Sequence, residues 1–446
     1  MDRMGSIERL RQRAESQKHL NPEMYGRVDF SVVPERFTVS PDDASALGAR
    51  YPEQRAKLLK DSDRVEVIRA YSMMGDVVAD RYARLMRQYG FRGLVGMLVE
   101  ACDKGVEAVA DAPPELVDFI RDMERVPDWL DMKLVEDGAR LERNAMANLA
   151  PFAIRGAFIA TFMNKYAALP MAITNTLSSQ GAARRVKETA TFFSTSVLPG
   201  ALGRFGAGFK AAAKVRLMHS MVRANVLRRP DGWDLGAYGI PIPQVDQMPA
   251  GLIGVQLMSA AILATGRAQF TPDERARVEF ARYRCFLLGL PEDLLADTPQ
   301  GIFDLMIARN GTLRAGYDDT TCGELLRATM AADLRPGDTL GARVHDLFER
   351  SFAKVFFVKH FLAGNKTKAA SIGVHVTARD TILAALAGLS IVGRMKAYRL
   401  AARVPGLRDR ADKSLVARIS AQLATYGHAD FVTDAAKYRT AVATPK

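Results

Sequence analysis

Apolar residues along this chain recur three and four positions apart, and no stretch of appreciable length alternates apolar with polar residues as a strand would. Glycine and proline interrupt the pattern roughly every 15 to 30 residues, so the chain reads as a succession of helices. Residues 1–41 predict a short basic amphipathic helix followed by an extended arm carrying Pro34 and Pro41. Pro41 follows Ser40, a good N-cap, and this pair predicts a helix over 42–60. Further helices are predicted over 63–90 and 92–111, with a stop at Pro113–Pro114. The middle block, 115–310, contains a helix ending near Val197, another beginning near Phe209 and an apolar helix over 249–266. The segment RRPDGWDLGAYGIPIPQVDQMP separates the last two, and loops of that length inside a compact domain are usually functional or line a site. The C-terminal block, 319–440, adds helices around LFERSFAKVFFVKHFLA and TILAALAGLSIVGRMKAYRLAA, and no internal repeat is visible.

The expected fold is therefore all-α, with one large helical domain over 42–440 behind the 1–41 arm. A length of 446 residues would allow two or three domains, but no Pro/Ser-rich linker or low-complexity tract cuts the chain. Apolar residues make up 48%, ample for a large core, and the segments are rich in the helix formers Ala, Leu, Arg, Met and Glu. Cys102, Cys285 and Cys322 are odd in number and far apart, which argues against a disulfide framework or a zinc site. The first twenty residues are charged and lack the apolar centre of a secretory signal, so a cytoplasmic location is expected. The two most apolar stretches, 147–177 and 250–266, are interrupted or short for a bilayer and read as buried core helices.

Net charge is +12 and unevenly placed. From Arg394 to Lys446 eleven Lys/Arg stand against four Asp/Glu, a surplus of seven. Such a face suits either peripheral contact with an anionic membrane or plain solvation. Aromatic residues are sparse there and no nucleic-acid-binding motif is present, so no nucleic-acid partner is expected. Dinucleotide, P-loop and nucleophile-elbow signatures are absent, as is any H-E-x-x-H pattern.

The chemistry-bearing stretch runs from GAARRVKETATFF, through the glycine-rich break SVLPGALGRFGAGF, to KVRLMHSMVR. Arg185 and Thr189 are one helical turn apart and should leave the same face of their helix. Thr189 lies about eight residues, roughly 12 Å, from the end of the first helix, and His219 about ten residues, roughly 15 Å, from the start of the second. If the two helices run antiparallel, these side chains face one slot at similar depth, which suits a flat, metal-centred cofactor. A blander reading stands beside this one. His219 shares its helix with Val215, Met218, Val222 and Val226 and fits a core histidine satisfied by a neighbour. Arg185 and Thr189 equally fit an exposed arginine and a threonine bonded back to its own helix. His360 is the main rival ligand on an apolar helix, ahead of His19, His345, His375 and His428.

The Arg-x-x-x-Thr helix and the V-R-x-x-H-x-x-V-R helix resemble the catalytic domain of the latex clearing protein (rubber oxygenase) family, which also contains the endoplasmic-reticulum-bound oxygenases of fungal mycophenolic acid synthesis. VPDWLD at 126–131, YGIPIPQVDQMPAGLIGVQLM at 238–258 and FTPDERARVEFARYRCFLLGLPEDLL match in the same order, so the likeness covers about 125–310. It implies a globin-like helical core with extra helices at both ends, and a haem b whose iron takes His219 as its protein ligand. It implies O2 and an apolar, unsaturated isoprenoid or lipid-like molecule as substrates for oxygenation or oxidative cleavage. Arg185 and Thr189 become pocket residues, and Arg216 and Arg223 either neutralise haem propionates or line a solvated helix edge. The rubber-cleaving members place a lysine directly before the pocket threonine. Here Glu188 stands there and Lys187 one place earlier, about 100° round the helix. Glu188 is then an ion-pair partner of Arg185 or a base. The same residues would serve a non-catalytic haem protein that senses or carries a gas, or survive in a haem-free scaffold. The absent secretory signal sets solid extracellular polymer apart from the expected substrates.

Overall fold

The structure, a computed structural model, describes residues 3–426 except 177, 229–232 and 336–338. As expected it is all-α. Among the described residues no strand forms, and the β-type pairing consists of the isolated bridges Phe37↔Leu313 and Ser45↔Arg314. Among the described residues the helices gather into two compact units, one within 3–138 and 202–316 and the other within 139–201 and 317–426.

In the first unit the N-terminal helix, Arg3–Leu20, leads into the extended arm. The helix expected over 42–60 shrinks to Pro52–Leu58. The reason is non-local pairing: Thr38 donates to the carbonyl of Thr312, Ala46 to that of Leu313, and Leu47 to that of Asn310. Those bonds satisfy the arm without a helix, overriding the Ser40–Pro41 start signal. The 63–90 segment divides into Ser62–Tyr71 and Val77–Arg84, because Asp76 caps the second helix by accepting from the backbone N–H of Ala79. Met86–Lys104 stops before the 111 expected, at Gly105 with φ 97. The helices around the glycine-rich break fall as read, Ser179–Ser196 capped at Val197 and Ala207–Leu227 starting after Gly206. The apolar helix of the first unit runs over Gln244–Ala264, beginning earlier than 249, and Pro249 lies within its first turns.

The second unit has a core of Phe158, Ile159, Phe162, Val186, Leu325, Leu326 and Phe357 with their neighbours. Arg155, fully buried, sits among these groups on the Ala150–Ala160 helix. Its guanidinium binds Glu349 through Nε at 3.0 Å and Nη2 at 2.8 Å. Its Nη1 donates to the carbonyls of Thr329 at 2.6 Å and Ala332 at 2.9 Å. Those carbonyls end the Glu324–Ala331 helix, so one side chain both balances a buried carboxylate and caps a helix C-terminus. In the Leu340–Phe361 helix, His345 lies half-buried against the Phe152 ring at 5.1 Å.

Two predictions test this packing. Arg155→Met leaves Glu349 buried without its cation and the carbonyls uncapped, and is expected to lower unfolding free energy in urea by about 3–5 kcal/mol. Burial, reinforced by Arg335 and Arg394, pushes the His345 imidazole down to about 4 from 6.5. The unfolded chain therefore takes up a proton below about pH 6.5 that the folded chain refuses until pH 4. The stabilisation is complete above that window and is lost as pH falls through it. His345→Phe is expected to flatten the urea midpoint between pH 6.5 and 4 by about 1–2 kcal/mol, less than the full linkage value because solvent reaches half of the ring.

Candidate functional site

The Ala207–Leu227 helix is held by two arginines that the sequence reading placed at haem carboxylates or on a solvated edge. Neither guanidinium is solvated. Arg216 is buried and binds both oxygens of Asp76, through Nε at 2.6 Å and Nη2 at 2.8 Å, and reaches Asp122 at 2.9 Å. Arg223 is fully buried and pairs with Asp80, while its Nε and Nη2 donate to the carbonyls of Pro241 at 3.1 Å and Ile242 at 2.7 Å. The Tyr25 hydroxyl donates to the same aspartate. Burial pushes the Asp80 carboxyl up to about 6 against the pull of Arg223, so the pair is charged at neutral pH. The neighbouring carboxylates hold Arg216 more firmly protonated than a free arginine, outweighing its burial. Two glycines make room for these pairs. A Cβ on Gly75 would lie 2.1 Å from the Tyr25 hydroxyl oxygen, and one on Gly289 2.5 Å from an Asp76 oxygen.

His219 stands one turn after Arg216 and one turn before Arg223 and is half-buried. Its Nδ1 lies 3.4 Å from Oε1 of Gln247. The direction of that bond is set from further back. Gln244 donates through Nε2 to the carbonyl of Gly75 at 3.1 Å, and Gln247 donates through Nε2 to Oε1 of Gln244 at 3.1 Å. Each amide thus turns its NH2 toward the preceding acceptor and its oxygen toward the next group, which leaves Gln247 presenting an acceptor to the imidazole. Nδ1 is then the ring nitrogen that donates to this amide oxygen. Sequence reading anticipated such an acceptor without identifying it. Both glutamines lie in the YGIPIPQVDQMP stretch at i and i+3 on one helix face, which was the available signal.

Arg185, Glu188 and Thr189 stand on the Ser179–Ser196 helix of the second unit, which Ser178 caps by accepting from the N–H of Gly181. Ala182 and Val186 point into the core of that unit. Arg185 and Glu188 are buried and form an ion pair with Nη1 3.1 Å from Oε2, the alternative that the i,i+3 spacing favoured. Oε1 of Glu188 is buried with no hydrogen-bond partner among the described residues. Burial pushes the Glu188 carboxyl up, opposed by Arg185 and Arg184. Burial likewise lowers the half-buried Lys187 ammonium, and Asp333 pulls it back up. Thr189 is half-buried.

The rival histidines lose ground. His360 does not lie in the core; it is exposed at the end of its helix, with its ring 4.6 Å from that of Phe356. His19 and His375 are exposed, and His428 lies outside the described residues. Among the described residues no group of three or more His, Cys, Asp or Glu side chains converges on a metal position.

Residues 144–335 match the family described as ER-bound oxygenase mpaB/B'/rubber oxygenase, catalytic domain. All six residues discussed above, from Arg185 to Arg223, lie inside that segment. No curated protein matches the chain. Among solved structures, latex clearing protein in its closed state is similar with a TM-score of 0.55 and 16% identity, covering 78% of this chain and 91% of that one. At that identity the likeness speaks for a shared fold. Residues 144–335 are therefore similar to the catalytic domain of the mpaB and rubber oxygenase family, and the chain shares the all-α fold of latex clearing protein.

Proposed function

We propose that this protein is a haem b-dependent oxygenase acting with O2 on an unsaturated isoprenoid or other lipid-like substrate, with His219 as the protein ligand to the iron. The observation that supports the reading is the directed chain from Gly75 through Gln244 and Gln247, which presents an acceptor to Nδ1 of His219 as a metal-ligating histidine requires. A haem so held supplies the iron centre at which dioxygen is activated for attack on a carbon–carbon double bond.

The chain's own residues divide the remaining work. Gln247 orients the imidazole and, by accepting from Nδ1, raises its basicity. Arg216 and Arg223 enter the proposal as holders of the helix, because aspartates already balance both guanidiniums. The Thr189 hydroxyl is a donor for oxygen chemistry, and Arg185 stabilises developing negative charge. Glu188 pairs with Arg185 through Oε2 and keeps Oε1 buried without a partner among the described residues, while burial raises the proton affinity of its carboxyl against the pull of Arg185.

Protein from haem-supplemented cells is expected to show a Soret band with one haem b per chain, lost in His219→Ala. Colourless wild-type protein that refuses added haem, or an unchanged spectrum in His219→Ala, would overturn the reading. Gln247→Leu is expected to keep the haem but weaken its binding about ten- to hundredfold, and to lower the iron–histidine stretch in the resonance Raman spectrum of the reduced protein. An unmoved stretch would remove Gln247 from the account. Arg185→Met combined with Glu188→Gln removes the ion pair without stranding a buried charge. Oxygen consumption with unsaturated isoprenoids should then fall about 10²- to 10³-fold with the Soret band intact. Wild-type protein that binds haem and consumes no oxygen with any such substrate would point to gas binding without turnover.

A further inference from the structure

The Ala378–Ala401 helix of the second unit is built inside out for a helix surrounded by water. Its packed face is small, with Ala384, Ala387 and Ile391 buried at i, i+3 and i+7. At its start Asp380 accepts from Ser351 at 3.0 Å and from the Lys354 ammonium at 3.2 Å, which ties the helix lengthwise to Leu340–Phe361. The large aliphatics point the other way. Ile382, Leu386, Leu389, Val392 and Leu400 are between 50% and 72% exposed. At 100° per residue all five fall within about 120° of one another, a stripe about 27 Å long. Only 17% of the most apolar stretch of this helix is buried, against 44% for Gln244–Ala264, the other helix among the described residues long and apolar enough by length and composition to cross a bilayer. Isolated exposed leucines need no explanation, but a continuous stripe does.

Charge identifies what covers it. From Ala378 to Tyr426 nine Lys/Arg stand against three Asp/Glu, a surplus of six. Two of those three acids are already engaged, Asp380 by Lys354 and Asp412 by Arg143 at 2.8 Å. The exposed cations Lys396, Arg399, Arg403, Arg408, Arg410 and Lys413 gather at and beyond the C-terminal end of the apolar stripe. Large aliphatics on one line with a dense group of cations beside them are the complement of an anionic lipid surface: acyl chains take the side chains and headgroups the charges. A protein partner of matching shape would have to bring an acidic rim. We propose that this face docks in the plane of an anionic bilayer, lying on it and not crossing it, because its opposite side is committed to Leu340–Phe361. The inference is independent of the haem reading.

The test is flotation of the full-length protein with vesicles of phosphatidylcholine alone or mixed with phosphatidylserine, with sedimentation to record oligomeric state. Wild-type protein is expected to float with the mixed vesicles, more weakly with phosphatidylcholine alone, and less at high salt. Leu386→Glu with Leu389→Glu should lower the partition coefficient at least about tenfold per leucine while helix content and the haem spectrum stay unchanged. An environment-sensitive label on Leu389→Cys should shift to the blue on mixed vesicles, the native cysteines Cys102, Cys285 and Cys322 being buried. Failure of the wild type to float, equal flotation of the double variant, or a wild-type dimer that the two glutamates split would each overturn the proposal, the last by assigning the face to a second copy of the chain.

Discussion

Two buried arginine–aspartate pairs fix the helix that carries His219, and the local chemistry depends on them. Arg216 with Asp76 and Arg223 with Asp80 lie one turn either side of the histidine, so the helix can neither rotate nor slide without separating charges already stripped of water. Desolvating four charged groups is costly, and such pairs are weak evidence for stability in themselves. What they supply is definition. A helix of Ala, Val, Leu and Met would pack in several registers, whereas two guanidiniums with directional donors accept one. The arrangement also accounts for Gly75 and Gly289, whose backbones press against the two pairs where any Cβ would collide.

Once the helix is pinned, hydrogen-bond direction passes through side chains that are uncharged. The carbonyl of Gly75 can only accept, so the amides of Gln244 and Gln247 are read outward from it and the tautomer of His219 follows. The same short segment, 75–80, supplies that carbonyl and both aspartates that clamp the helix. The imidazole's position and the orientation of its Nδ1 hydrogen bond therefore both trace to neighbouring backbone, and a disturbance of one should be felt by the other.

Sequence made the helices legible where local signals and tertiary packing agreed. The glycine-rich break marked the end of one helix near Val197 and the start of the next near Phe209, two residues after the observed start at Ala207. The arm around Ser40 went the other way, since its amides found partners near residue 312 that local propensity cannot foresee. His219, Arg185 and Glu188 could be singled out from spacing and resemblance. The roles of Arg216 and Arg223 could not, because their aspartates lie about 140 residues earlier in the chain and only the fold brings them together. The outward stripe of the Ala378–Ala401 helix was hidden for a related reason: TILAALAGLSIVG is apolar on every side, and packing alone reveals which side meets the core.

The departure at Glu188 takes on physical meaning in this setting. The residue before Thr189 is an acid in a buried position, and the nearby lysine sits one place earlier, drawn electrostatically toward Asp333. Its carboxyl has one oxygen on Arg185 and the other without a partner among the described residues; burial raises its proton affinity and the arginine lowers it. The glutamate instead places an acid in the ion pair with Arg185 and leaves the Arg-x-x-x-Thr frame in place.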